Sequence, residues 1–187
     1  MKKFLKWFAI VLGVLIVIAV VGFQFMKYNT KRHSPAATAQ YAANGNSITI
    51  DYCRPYKKDR EIFGGLVPYG EVWRTGANEA TTFVTNSDLS IEGKKLPAGE
   101  YTLWTVPGEQ KWEIIINSGE YGWGVSFEGK ASHEAKFDVI NATAPVQKTE
   151  EQYEQFTINL EEGNEHDVEL EMKWDQTLVA LPIDWVE

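Results

Sequence analysis

The sequence holds one cysteine, Cys53, among 187 residues. An intrachain disulfide is therefore excluded, and a cysteine-based zinc or iron–sulfur centre has too few ligands. Histidine is almost as scarce. His33, His133 and His166 stand far apart in no ligand spacing, so no metal is expected. There is no nucleophile elbow and no phosphate-cradling glycine loop, so no cofactor and no catalytic residue is assigned. Acidic residues are missing from residues 1–35, which carry Lys2, Lys3, Lys6, Lys27, Lys31 and Arg32. With −8 for the whole chain, the remainder carries a net charge near −14. So acidic a remainder repels phosphate backbones, which argues against nucleic-acid binding and for a role in solubility. No stretch beyond the amino-terminal segment keeps a helical period. An internal repeat is also lacking, and nothing in the sequence reports an oligomeric state.

What is present begins with an apolar run, Trp7 to Met26, free of charge and interrupted by one amide, Gln24. Twenty or so helical residues rise about 30 Å, the thickness of a hydrocarbon core. Trp7, Phe8 and Tyr28 suit the two interfaces. A cleaved signal peptide needs small residues at the end of its apolar run, but Gly22-Phe-Gln-Phe-Met26 is bulky. The pattern favours an uncleaved signal anchor crossing the membrane through residues 7–26. The basic residues on its two sides nearly balance, and the slight amino-terminal excess predicts a cytoplasmic amino terminus and an extracytoplasmic domain. The expected organisation is a basic tail and anchor over 1–28, a small-residue polar linker over 29–46, with a solvated His33, and a globular domain over 47–187.

Within that domain, apolar residues alternate rather than recur at helical spacing. Ile48, Ile50 and Tyr52 share one strand face, as do Trp112, Ile114 and Ile116. Ile115 on the opposite side of the latter run suggests a strand covered on both faces. Phe156, Ile158 and Leu160 alternate with polar residues, and so do Val168, Leu170, Met172 and Trp174. Nine strand candidates follow: 47–54, 82–85, 89–92, 101–106, 111–117, 136–141, 153–160, 168–174 and 177–183. Glycine, proline and Asn/Asp turns separate most of them. The fold class predicted is all-β, an antiparallel, jelly-roll-like β-sandwich preceded by one transmembrane helix. Cys53, in an alternating run, reads as a buried structural thiol.

The densest polar stretch is Pro68–Thr82, PYGEVWRTGANEATT, which has no clean period. With Arg54-Pro55, Ile62-Phe63-Gly64, Leu96-Pro-Ala-Gly99, Tyr101 and Trp123-Gly124, it resembles an uncharacterised bacterial family, domain of unknown function 2911. The resemblance spans roughly 47–184, and the VWRTGANEAT string carries most of it. It implies an exported or envelope protein with an all-β domain, and brings no activity or site residue with it.

The candidate binding residues are Arg74, Asn78, Glu79, Tyr69, Trp73 and Trp123. An arginine fork beside an acid and an amide suits a carboxylate or a sugar hydroxyl. Flat rings among polar groups, with Trp104 and Tyr121 added, are how glycan sites are often built. Against this stand two structural readings: Arg74 and Glu79 as an ion pair bracing the loop, and the aromatics as core. His133-Glu134 reads as a solvated loop. Three functions remain open: a membrane-anchored module binding a small polar ligand or glycan, a structural or interaction module of the cell envelope, and a carboxylate-dependent hydrolase using Glu79 with Asp59 or Glu61.

Overall fold

The computed structural model describes residues 2–126 and 128–186 and divides into two compact units, Met1–His33 and Ser34–Glu187. The first is one helix, α1 (Lys2–His33), apolar on all sides and long enough to cross a membrane. It runs on through residues 29–33, which were expected to be linker. Thr30 Oγ1 donates to the Lys27 carbonyl at 3.0 Å, and Lys31 and Arg32 place positive charge in the last turn, where the helix dipole favours it. Pro35 ends it, because proline disfavours a helical conformation at the residue before it.

The second unit carries nine strands: β1 (Ala36–Ala43), β2 (Asn46–Cys53), β3 (Thr81–Thr85), β4 (Leu89–Ile91), β5 (Lys94–Leu96), β6 (Gly99–Val106), β7 (Lys111–Asn117), β8 (Asp138–Glu162) and β9 (Val168–Trp185). All pairings are antiparallel, in the order β1-β2-β3-β6-β7-β8-β9-β4-β5. The fold is thus an all-β, sandwich-like sheet.

Four features depart from the expected strand list. The linker reading of 36–43 fails: these residues form β1, paired along its length with β2. The Asn44-Gly45 turn between them has positive φ at both residues (53° and 86°), the geometry of a tight hairpin. Glu92 and Gly93 make the same kind of turn (49° and 73°), so Lys94 and Lys95 belong to β5 and not to the turn. The expected strands 136–141 and 153–160 are one strand, β8, and 168–174 and 177–183 are one strand, β9. Between Ile140 and Val146 the inward positions of β8 are Ala142 and Ala144, whose small side chains hide the alternation.

The length of β8 is what folds the sheet over. Its residues up to Pro145 pair with β7, and from Val146 onward they pair with β9. Proline has no N–H to give to a ladder, so Pro145 suits the place where one partner is exchanged for another. The two halves enclose one core containing Ile50, Phe83, Ile114 and Ile116 from the first half and Ile158, Leu170 and Met172 from the second. Tyr52 ties them: its hydroxyl accepts from the Ile158 N–H at 2.9 Å and lies 3.3 Å from the Ile158 carbonyl. Ile115 faces the other way and packs with Ala80 and Trp104 in a second, smaller cluster, so β7 is covered on both faces as expected.

The segment between β2 and β3, residues 54–80, plugs this core with Ile62, Phe63, Val67 and Trp73. It is stitched to β8 where the Pro55 carbonyl accepts from Phe156 N–H at 3.0 Å and Arg54 Nε donates to the Phe156 carbonyl at 3.0 Å. Phe156 is fully buried, edge-on to Tyr52 (5.8 Å) and to Trp73 (4.9 Å), and tilted against Trp174 (5.8 Å). Phe156→Ala removes a side chain that both sheet halves and the plug share. Urea titration of the full chain in detergent, followed by tryptophan fluorescence, is expected to show a loss of about 3–5 kcal/mol. A loss under about 1 kcal/mol would mean that this cluster does not hold the halves together.

Candidate functional site

Two irregular segments meet at one end of the domain: 54–80, and 118–134 between β7 and the short 3-10 turn Ala135–Phe137. Each is fixed by its own backbone bonds. In the first, Trp73 exchanges both backbone hydrogen bonds with Thr105 of β6, at 2.7 and 3.0 Å. This places Trp73 in extended backbone, and its ring enters the core, near-parallel to Trp174 (6.0 Å, 16°). After Trp73 the chain turns sharply. Thr75 (φ 51°) and Asn78 (φ 62°) occupy the left-handed region, which L-residues other than Asn and Asp adopt at a cost. The turn is held by three hydrogen bonds: Trp73 Nε1 to the Gly76 carbonyl (3.1 Å), Thr81 Oγ1 to the Thr75 carbonyl (2.9 Å), and the Thr75–Thr105 hydroxyl contact (3.1 Å). Gly76 is required, because at φ 151° a Cβ would also lie 2.9 Å from the Cys53 carbonyl.

The second segment is organised by Asn117, which is fully buried at the end of β7. Its Nδ2 donates to Asp138 Oδ1 (2.7 Å) and to the Glu134 carbonyl (3.0 Å). Its Oδ1 accepts from the Gly119 N–H (2.8 Å) and the Tyr121 hydroxyl (3.2 Å). The Tyr121 hydroxyl in turn accepts from the Glu134 N–H at 3.0 Å. The two segments are joined by a bridge between Glu79 and Trp123 and by the Gly124 N–H donating to the Asn78 carbonyl at 2.9 Å. Gly124 lies directly beneath the Arg74 side chain. A Cβ there would fall 2.8 Å from Arg74 Cβ and closer still to its Cδ. The Arg74 and Trp123-Gly124 parts of the sequence signature are therefore one packing unit.

Between the segments lies a cleft of about 610 Å³. Its less exposed lining is Val67, Val72, Trp73, Arg74, Val125, Ala131 and His133, while Leu66, Pro68, Glu71, Glu128, Gly129 and Lys130 form an exposed rim. Arg74 Nε is buried without a hydrogen-bond partner. Burial lowers the guanidinium from its ordinary value, and Cys53 acts in the opposite sense. An arginine in such a setting still carries its charge at neutral pH.

His133 is placed differently from the solvated loop that the sequence suggested. Its side chain is 9% exposed, and Nε2 lies 2.6 Å from Asp138 Oδ1. Its ring sits 5.6 Å from that of Trp104, which is itself buried. No spacing motif announces this pair, since the 3-10 turn at 135–137 folds Asp138 back onto His133.

Of the six candidate binding residues, Trp73 and Arg74 line the cleft. Asn78 and Glu79 sit where the segments join. Asn78 Nδ2 donates to the Ser34 carbonyl at 3.3 Å, and Glu79 Oε2 lies 3.5 Å from the buried Cys53 Sγ. Trp123 meets them through its backbone. Tyr69 is exposed, its ring over Gly64. The aromatics make no common wall: Trp73 and Trp104 belong to two different core clusters, and Tyr121 packs edge-on against Trp104 at 5.2 Å. Glu79 is absent from the cleft lining, while Glu71 and Glu128 are on its rim.

The family model described as "Protein of unknown function (DUF2911)" matches residues 34–183. The chain belongs to the DUF2911 family. No curated protein and no solved structure matches it. The matched residues begin at Ser34 and so include β1, which the resemblance read from motifs had left out. In this DUF2911 domain the signature residues from 73 to 80 and 123–124 meet at the joint between the two segments.

Gly124→Ala is expected to destabilise the protein by about 1–3 kcal/mol, because its new methyl overlaps Arg74. Arg74→Ala, which removes the Cδ overlap but keeps the Cβ one, should relieve part of that cost. A double-mutant cycle in urea that proves additive would contradict the packing described for this pair.

Proposed function

We propose that this protein is a membrane-anchored binding module, and that its cleft takes a small polar ligand through a carboxylate. One observation carries the reading: Arg74, pressed onto Gly124 at the joint of two loops, holds a buried Nε–H with no acceptor. Leaving a buried donor unmatched costs about 1–3 kcal/mol, and more when the group is charged. A structural brace would use that donor; unused, it leaves a guanidinium of the cleft lining uncommitted through Nε to any other residue described. Lys130 stands on the rim, opposed there by Glu71 and Glu128, so Arg74 is the charge of the inner lining. A carboxylate meets an arginine fork with two parallel hydrogen bonds, which favours it over a neutral hydroxyl. The carboxylate belongs either to a free acid or to an acidic sugar, the form in which a glycan suits this cleft.

The module lies outside the cytoplasm in this proposal, with the amino terminus inside. Support comes from an α1 that is apolar on all faces and from the three lysines preceding its apolar run.

Both parts are testable. In thermal unfolding of the full chain in detergent, succinate or glucuronate should raise Tm, and neutral glucose should not. Either acid at a hundredfold excess over its Kd adds about 2.7 kcal/mol. Arg74→Met should weaken binding by roughly tenfold or more while the variant stays folded. A shift with glucuronate and none with succinate would identify an acidic sugar. No shift with either, or shifts that survive Arg74→Met, would defeat the binding proposal. For topology, a carboxyl-terminal phosphatase that matures only outside the cytoplasm should be active. An inactive phosphatase, with a fluorescent cytoplasmic reporter at the same position, would overturn the orientation.

A further inference from the structure

We infer that the cleft binds its carboxylate together with a proton, which His133 holds. This deepens the binding proposal above and depends on it. His133 lines the same cleft as Arg74. The two are close in the chain's local architecture: Arg74 lies on Gly124, whose carbonyl accepts from the Ser132 N–H at 3.1 Å, and His133 follows directly.

Which nitrogen of His133 carries hydrogen is decided by Asp138. Its Oδ1 lies 2.6 Å from Nε2 and also accepts from Asn117 Nδ2, so Nε2 must be the donor. Nδ1 has no hydrogen-bond partner among the described residues, and in the neutral ring it bears only a lone pair. A carboxylate oxygen at that atom would be repelled. Once the ring is protonated, Nδ1 becomes a donor, and the imidazolium lies between two anions, Asp138 and the ligand. Anion entry and proton uptake therefore favour each other, and thermodynamic linkage makes the effect reciprocal.

The other charged groups around the ring are accounted for. Glu134 and Lys136, next along the chain, pair with each other at 2.6 Å. The Tyr121 hydroxyl is engaged by Asn117 and the Glu134 N–H. Glu128 and Lys130 stand on the rim with opposite charges, and Glu71 faces them from the other segment. Arg74 is the one cation of the less exposed lining other than a protonated His133. A bound carboxylate is the anion that both groups of the cleft could share. The proton thus enters with the ligand.

The experiment is titration calorimetry of the full chain in detergent with succinate and glucuronate, in two cationic buffers of different ionisation enthalpy. Close to one proton is expected to be taken up per carboxylate bound at a pH above the imidazole range of about 5 to 8. The affinity should fall toward tenfold per pH unit there. The His133 ring proton resonance, identified by its loss in His133→Gln, should shift to the imidazolium position on saturation. His133→Gln should bind with no proton uptake and a pH-independent affinity. Binding that needs Arg74 yet takes up no proton would overturn this inference and leave the binding proposal standing. No binding of either acid would overturn both.

Discussion

Everything at the candidate site depends on the packing of Trp73, half-buried against the core. Its ring stacks on Trp174 and meets Phe63, Trp112 and Phe156 within 6.2 Å, so five aromatic side chains from four parts of the chain share one volume. An aromatic of this size buries 150–250 Å², enough to anchor an otherwise irregular segment. Because Trp73 pairs with Thr105 in extended backbone, its neighbours on either side lie on the opposite face. Val72 and Arg74 thereby reach the cleft as a consequence of where Trp73 goes. In the turn that follows, Asn78 tolerates left-handed backbone, whereas Thr75 adopts it at a cost of about 1–3 kcal/mol. The turn persists because the packed tryptophan on one side and β3 on the other leave the chain no alternative route.

The second segment follows a polar logic. Asn117 has all its hydrogen-bonding capacity committed, and through Tyr121, Glu134 and Asp138 it shapes the loop from within. A buried network that satisfies every member rigidifies what it touches, whereas a partly satisfied one is costly. Where the apolar plug meets this polar network, glycine is needed at 124 and a donor is left over on Arg74. Asn117 is fully satisfied, whereas Arg74 Nε at the joint is not.

Charge acts on two scales in this protein. The acidic domain repels anions at long range, but in physiological salt that field decays over about 8 Å. Inside the cleft, Arg74 and His133 lie where water is partly excluded and screening is weaker. Short-range, desolvated contacts therefore outweigh the long-range field there. The surface charge bears on solubility and on how quickly a ligand arrives.

The long apolar helix, the all-β class and the inward-facing sets of β2, β7, β8 and β9 were all legible in the sequence. Large apolar side chains reveal their period wherever they are buried. The signature around Arg74 was legible as well, as a cluster of unlike polar types without a period. Small residues concealed the rest. Alanines line the inner side of β1 and the middle of β8, so one strand read as a linker and another as two, although Asn44-Gly45 is a hairpin signal that pointed to β1. The His133–Asp138 pair, the Gly124 contact with Arg74 and the dispersal of the aromatic wall had no local sign at all. Sequence period reports which side chains leave water, a property of each segment alone. Which polar groups then meet depends on how β8 changes partners at Pro145 and how two loops dock, and that is decided only when the whole chain closes on its core.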